Sequence, residues 1–342
     1  MQQFSFGRLS DGREVTAYRL QNHTGAEAVI LDYGCTVQSL KVPNRFGTAT
    51  DVVLGYQTAA EYEANDGYFG AVVGRVGNRI GASSFSLDGK TYRLAANEGR
   101  NHLHGGVNGF DRRFWDAEAS GERVVFSRIS PDGEEGYPGS LVVRVAYELQ
   151  EGNKLLITYD AVSDSATPVN LTNHSYFNLH GGGDIRSHTL QLNAQSFAEI
   201  DGELLPTGWL SPVADTPLDF TSPKEVGRDL GAEFEQMRLA GGYDHNFVLD
   251  HSIPVQPSAR LVGPDTGIVM TVETAAPGIQ VYSGNAIQPR RGKDGAVLTA
   301  HSGICLETQN FPDAVHHSNF PNSILRPGSR YQSHTSYGFS LI

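Results

Sequence analysis

The sequence predicts an all-β protein, organised as one large antiparallel β domain over residues 1–342, and three observations carry that prediction. Turn-forming residues recur along the whole chain, with 39 glycines spread rather than clustered. Between the turns lie β-branched and aromatic stretches at hairpin spacing, while long runs of helical periodicity are nearly absent. A hydrophobic content of 39% with 19% charged residues suits a globular chain with enough apolar material for a sizeable core.

The elements follow in chain order. A short helix is expected over residues 59–64. In "FSLDGKTYRL", Phe85 and Leu87 lead into Asp88-Gly89, a dipeptide whose tolerance of positive φ suits a tight hairpin, and Tyr92 and Leu94 continue on the returning arm. "LVVRVAYELQEGNKLLITYDAV" should fold back at Glu151-Gly152-Asn153, with β-branched residues on both arms. A second helix is expected from Pro223 through Leu230 to about Met237. "ARLVGPDTGIVMTVET" should turn at residues 263–267. No composition shift marks a linker.

Charge narrows the partners. With 26 basic and 38 acidic residues the formal net charge is -12, which argues against a nucleic acid partner. Cys35 and Cys305 are the only cysteines, so no disulfide framework is implied. The start "MQQFSFGRLSDGREV" has neither a basic n-region nor an apolar h-region, and no apolar run reaches membrane-spanning length. The expectation is a soluble, cytoplasmic protein without a membrane partner, as a monomer or homodimer.

Polar, reactive residues gather in five stretches: "GRVGNRI", "NHLHGG", "NLTNHSYFNL", "GGYDHNF" and "GICLETQNFPDAVHH". In "ICLETQN" a strand places Cys305, Glu307 and Gln309 on one face and Leu306 and Thr308 on the other, so Glu307 sits between neutral neighbours. A partly desolvated carboxylate has a raised pKa and can act as a general base near neutrality; a solvated strand glutamate is the plain alternative. A strand through His174 aligns it with Thr172 and Tyr176. Histidine titrates near neutrality and could complement such a base as an acid, although a hydrogen-bonded core histidine is the commoner case. Arg75 and Arg79 offer donor forks, against the usual role of solvated surface charges.

His102 and His104 match the histidine pair of a cupin-type metal site, but no carboxylate follows before Asp111 and no thiolate spacing is present. Metal is therefore not expected, with distant ligands left open. The following Gly105-Gly106 suggests that a strand ends there and that one imidazole tips a pocket wall. The residues alone do not say which.

In order along the chain, "GAVVGRVGNRI", "LHGGVNGFDRRFW", "FSRISPDGEEGYPG", "ATPVNLTNHSYFNL", "GGYDHNF", "GIQVYSGN" and "SGICLETQNFPDAVHHSNFP" resemble the aldose 1-epimerases, or galactose mutarotases, from about Val37 to the C-terminus. The resemblance implies a β-supersandwich, no organic cofactor, and interconversion of the α and β anomers of a free aldose. It casts Glu307 as general base and His174 as general acid, and makes His104 the site histidine of the pair, with the glycines letting the sugar approach. Asn78, Arg79, Asp244 and Gln280 match its substrate-holding positions. Base and acid would act on the C1 hydroxyl and the ring oxygen O5, with the acid limb of the pH profile set by Glu307 and the alkaline limb by the histidine. The alternatives are a hexose-6-phosphate 1-epimerase, for which Arg290 and Arg291 could supply a phosphate pocket, a non-catalytic sugar-binding β-sandwich, and a cupin-like metalloenzyme.

Overall fold

A computed structural model describes residues 1–64, 66–252 and 256–342. Among these, the strand ladders are antiparallel and fall mainly into three sheets. The largest has nine strands, with Leu141–Gln150, Lys154–Ser163, Tyr331–Leu341 and Ile268–Thr274 at its centre. A six-stranded sheet runs in the order Tyr176–Phe177, Ile304–Gln309, Gly278–Tyr282, Asp244–Leu249, Ala194–Ile200 and Pro206–Pro212. The third, of five strands, is built from residues 2–51 in sequential order.

All three hairpins expected from the sequence form. Ser84–Leu87 pairs with Lys90–Arg93 across Asp88 and Gly89, whose φ values of 51° and 77° are the ones a tight hairpin turn requires. The arms at 141–150 and 154–163 pair over their full length, and residues 259–263 pair with 268–272. The first helix is Ala59–Glu63, started by a capping box in which Thr58 and Glu61 satisfy each other's backbone N–H groups. The second expectation fails over most of its length. Residues 224–225 form a short strand against Thr189–Leu190, and the helix is confined to Glu235–Ala240. The backbone N–H groups of Val226 and Gly227 donate to His188 and Arg186, and a Cβ at Gly227 would press on Arg186, so tertiary pairing overrides helix formation there.

The nine- and six-stranded sheets face each other across one continuous apolar core that takes in Leu306, Val281, Ile279 and Phe247 from one side and Tyr337, Met270, Val272 and Ile157 from the other. Tyr337 packs on Phe177 with ring centres 4.8 Å apart and donates its hydroxyl to the Leu306 carbonyl at 3.2 Å. The Thr308 and Thr335 hydroxyls also meet across this interface. Leu306 and Thr308 therefore point into the sandwich, as the strand pattern predicts, and Cys305, Glu307 and Gln309 point away from it. No helix is long and apolar enough to cross a membrane among the described residues.

Arg75 is one of the largest fully buried side chains. Its guanidinium donates to Ser130 Oγ and to the carbonyls of Ser130, Pro131 and Pro138, each at 2.9 Å, and to Thr167 Oγ1 at 3.2 Å. It ties three chain segments together and does not line the cleft described below. Arg75→Met fills similar space without a donor and strands those acceptors, so we expect a loss of about 3 kcal/mol or more in urea unfolding, seen as a lower midpoint at unchanged slope.

Candidate active site

Directly opposed residues of an antiparallel sheet share a face. On the outer face of the six-stranded sheet this gives one transverse row of Tyr176, Cys305, Tyr282 and Asp244, and a second of Glu307, Gln280 and Asn246. Loops close over these rows to leave a cleft of about 340 Å³ lined by Asn78, Arg79, His104, His174, Asp244 and Glu307, with Tyr68, Glu98, Tyr282 and Arg290 around them. Six of the seven residues singled out from the sequence thus reach one cavity. Gln280, the seventh, lies behind Asp244 and donates its Nε2 to Oδ1 at 2.7 Å, so it fixes a cleft residue rather than lining the cavity.

His174 departs from the expected continuous strand. Thr172–Asn173 pairs with Val72–Val73, whereas Tyr176–Phe177 pairs with the glutamate strand, and His174 sits in the break between them. Its main chain is held by Gly70 and Ala71, at 2.9 and 2.8 Å. The break carries the chain from one sheet to another and leaves the imidazole beside Glu307, with Nε2 3.7 Å from Oε1.

The pair "HLH" separates for a similar reason. His102–Leu103 pairs with Arg79–Ile80, and a continued strand would point His102 and His104 the same way. His104 instead has φ 49°, ending the strand and turning its ring into the cleft. His102 stays fully buried, its Nδ1 2.7 Å from the Ala95 carbonyl and its Nε2 2.7 Å from the Tyr137 hydroxyl. Nδ1 therefore carries the proton and Nε2 accepts from the tyrosine. The glycines do not serve sugar approach as expected: a Cβ on Gly105 would overlap the Gly74 carbonyl, and one on Gly106 the Glu135 carboxylate. They let this loop pack on its neighbours.

Electrostatics follow from burial. Glu307 is 2% exposed and His174 4%. Burial, and then the like charge of Asp244, hold the Glu307 carboxyl well above its ordinary range, with Arg79 opposing. Burial pushes His174 down to about 4, with its own main-chain carbonyl pulling the other way. His104 is driven well below the usual histidine value by burial, then by His174 and Arg79. Burial also raises Asp244, against the pull of Arg79. Burial thus works against charge on both members of the Glu307–His174 pair, and the two directions together favour a form with one proton, carried by the carboxyl.

The Asn78 backbone N–H donates to His104 Nδ1 at 3.1 Å, while His104 N donates to the Asn78 carbonyl at 3.0 Å. The neutral ring is thereby fixed with its proton on Nε2, a donor rather than a base. His104, His174 and Glu307 do bring ligand-type atoms within 4.8 Å of one another, and Glu307 is the distant carboxylate that the search near His104 could not supply. Yet a ring whose Nδ1 lone pair is taken and whose Nε2 carries hydrogen has no lone pair for a cation, so this donor set does not fit a metal.

Both cleft arginines are neutralised. Arg79 forms a fork with Glu98 at 2.6 and 2.7 Å, and Arg290 pairs with Asp66. Sequence reasoning missed Glu98, Asp66, Tyr68 and Tyr282. Glu98 lies just ahead of "GRNHLHGG", and Tyr68 follows a turn-rich stretch and has φ 56°, so local turn chemistry was the available signal for both.

The aldose 1-epimerase family model matches residues 16–338. Galactose mutarotases from Sus scrofa and Homo sapiens are each 46% identical to this chain over 340 residues, covering 98% of it and 97% of their own length. The crystal structure of an aldose epimerase homologue from C. elegans superposes with a TM-score of 0.90 at 32% identity, over 95% of this chain and 99% of that one. The chain belongs to the aldose 1-epimerase family.

Proposed function

We propose that the cleft interconverts the α and β anomers of a free aldose, such as galactose or glucose, with Glu307 and His174 as the proton-transferring pair. The observation that carries it is a carboxylate and an imidazole 3.7 Å apart, both almost wholly buried, on the floor of a cavity of sugar size. Ring opening takes a proton from the C1 hydroxyl and delivers one to O5 as the C1–O5 bond breaks. A sugar whose C1 hydroxyl donates to Glu307 and whose O5 accepts from His174 favours the form with the proton on the imidazole. Glu307 then takes the hydroxyl proton while His174 gives its own to O5. Rotation about C1–C2 exposes the other carbonyl face, and the same groups act in reverse to close the ring. His104 donates Nε2–H toward the charge developing on oxygen. Asn78, Arg79 and Asp244 hold the remaining hydroxyls, with Gln280 and Glu98 holding two of them in place.

A neutral substrate is favoured over a sugar phosphate because Arg79 and Arg290 are already paired and the cleft also carries Glu98, Asp66 and Asp244. We read the continuous core as one domain over residues 1–342. Cys35 and Cys305 are both buried free thiols, in keeping with a reducing compartment such as the cytoplasm.

Polarimetry on freshly dissolved α-galactose and α-glucose, with and without the protein, tests the activity directly. Glu307→Gln keeps the shape and removes the base, and should cost at least ~100-fold in exchange rate with the fold intact by circular dichroism; wild-type exchange in that variant removes Glu307 from the reaction.

His104→Gln should lower kcat far more than it changes sugar affinity, because its donor acts on charge present only during ring opening. His102→Gln should leave exchange per folded molecule near wild type, any loss appearing in stability. Equal losses of kcat in the two folded variants would contradict the turn at His104.

The directions in which burial moves the two groups reverse the expected order of the limbs. Below the acid limb the pair holds two protons and above the alkaline limb none. Because burial lowers His174 to about 4 and raises Glu307, the acid limb of kcat/KM should fall well under the ordinary histidine value and report His174. The alkaline limb should lie well above the ordinary carboxylate value and report Glu307. A narrow optimum with its acid limb near 6.5 would contradict this.

A further inference from the structure

The proton-transfer scheme leaves the second nitrogen of His174 unexplained. To give a proton from Nε2 and later retrieve it, the neutral ring must keep its other proton on Nδ1, leaving the Nε2 lone pair toward Glu307 and the sugar. In water the opposite tautomer predominates, so something must hold this one. In many enzymes a carboxylate or a backbone carbonyl does so.

Here His174 Nδ1 faces the sulfur of Cys305 at 3.5 Å. Cys305 lies two residues before Glu307 on the same strand and the same face, paired across the sheet with Tyr176 and Tyr282. It is completely buried, and burial above all pushes its thiol well up from the ordinary value, so the sulfur stays protonated and no ion pair forms with the imidazole. The other groups facing the ring are Tyr68, His104, Tyr176 and Tyr282, with ring centres 4.9 Å or more from its own, and Glu307 on the Nε2 side. Among the described residues, no hydrogen bond of theirs is to Nδ1.

We propose that Cys305 is a positioning residue for His174: its sulfur accepts the Nδ1–H and holds the imidazole in the tautomer whose Nε2 lone pair faces Glu307 and the substrate. A thiol suits this place because it is a weak acceptor. A carboxylate there would stabilise the imidazolium, raise the histidine pKa and make the proton hard to release to O5. A sulfur fixes the ring and leaves the charged and neutral forms close enough in energy for one group to give and take the proton in a single turnover. The one strand 304–309 then supplies both the carboxylate and the partner that aims its imidazole. The inference rests on His174 acting as the acid.

The test is nitrogen NMR on protein labelled at histidine, with the His174 signals identified by their loss in His174→Gln. At neutral pH wild-type His174 should show a protonated Nδ1 and an unprotonated Nε2. Cys305→Ala and Cys305→Val, which cannot accept, should shift the ring toward the water-like tautomer and lower kcat by roughly tenfold, with KM within about twofold. Cys305→Ser, which retains an acceptor, should restore the tautomer and most of the rate. A proton on Nε2 in the neutral wild-type ring, or an unchanged tautomer and kcat in folded Cys305→Ala and Cys305→Val, would overturn the inference. Wild-type exchange in His174→Gln would instead overturn the role of His174 itself, and is read from a different protein.

Discussion

The structure turns on two adjacent titratable groups that have both lost their water. Glu307 and His174 are both nearly fully buried, and burial acts on them in opposite directions, up for the acid and down for the base. Either charge alone would be costly in that place. In the proposed mechanism they rest as a neutral pair, a short proton transfer away from the ionic form used in ring opening, and the sugar supplies the polar contacts that tip the balance.

Much of the surrounding architecture maintains that condition. The apolar sandwich behind Leu306 and Thr308 fixes the strand that carries Glu307, and the break in pairing at residues 174–175 sets His174 beside it. His104, locked as a neutral donor by the Asn78 backbone, adds hydrogen-bonding capacity without adding charge. Arg79, the cation closest in effect to Glu307, is balanced by Glu98, so its pull on the carboxyl is moderated and the cleft keeps little attraction for anions.

What could be read from the sequence was what depends on local rules. Hairpins at Asp88-Gly89 and at residues 151–153 follow from turn chemistry, and the two faces of "ICLETQN" follow from strand alternation. Glu307, His174 and His104 came from motifs, and their convergence could not, because it joins segments from distant parts of the chain. The helix expected over residues 223–237 was lost to pairing with the strand at 189–190, a long-range effect. The distinction between His102 and His104 rests on a left-handed backbone at a histidine, which side-chain alternation hides. Gln280 was expected to hold substrate, and its place behind Asp244, outside the cavity lining, could be read only from the cross-strand register.

The most direct test of the one-proton pair is the infrared difference spectrum of the sugar-free wild type and Glu307→Gln at neutral pH, in the region where a protonated carboxyl absorbs separately from a carboxylate. Subtraction of the variant removes the contribution of other buried acids such as Asp111, which is itself raised to about 7. A protonated-carboxyl band present in the wild type and absent from the variant is the predicted result. A carboxylate band in its place would show Glu307 ionised at rest, and the proton could not then be shared as the structure requires.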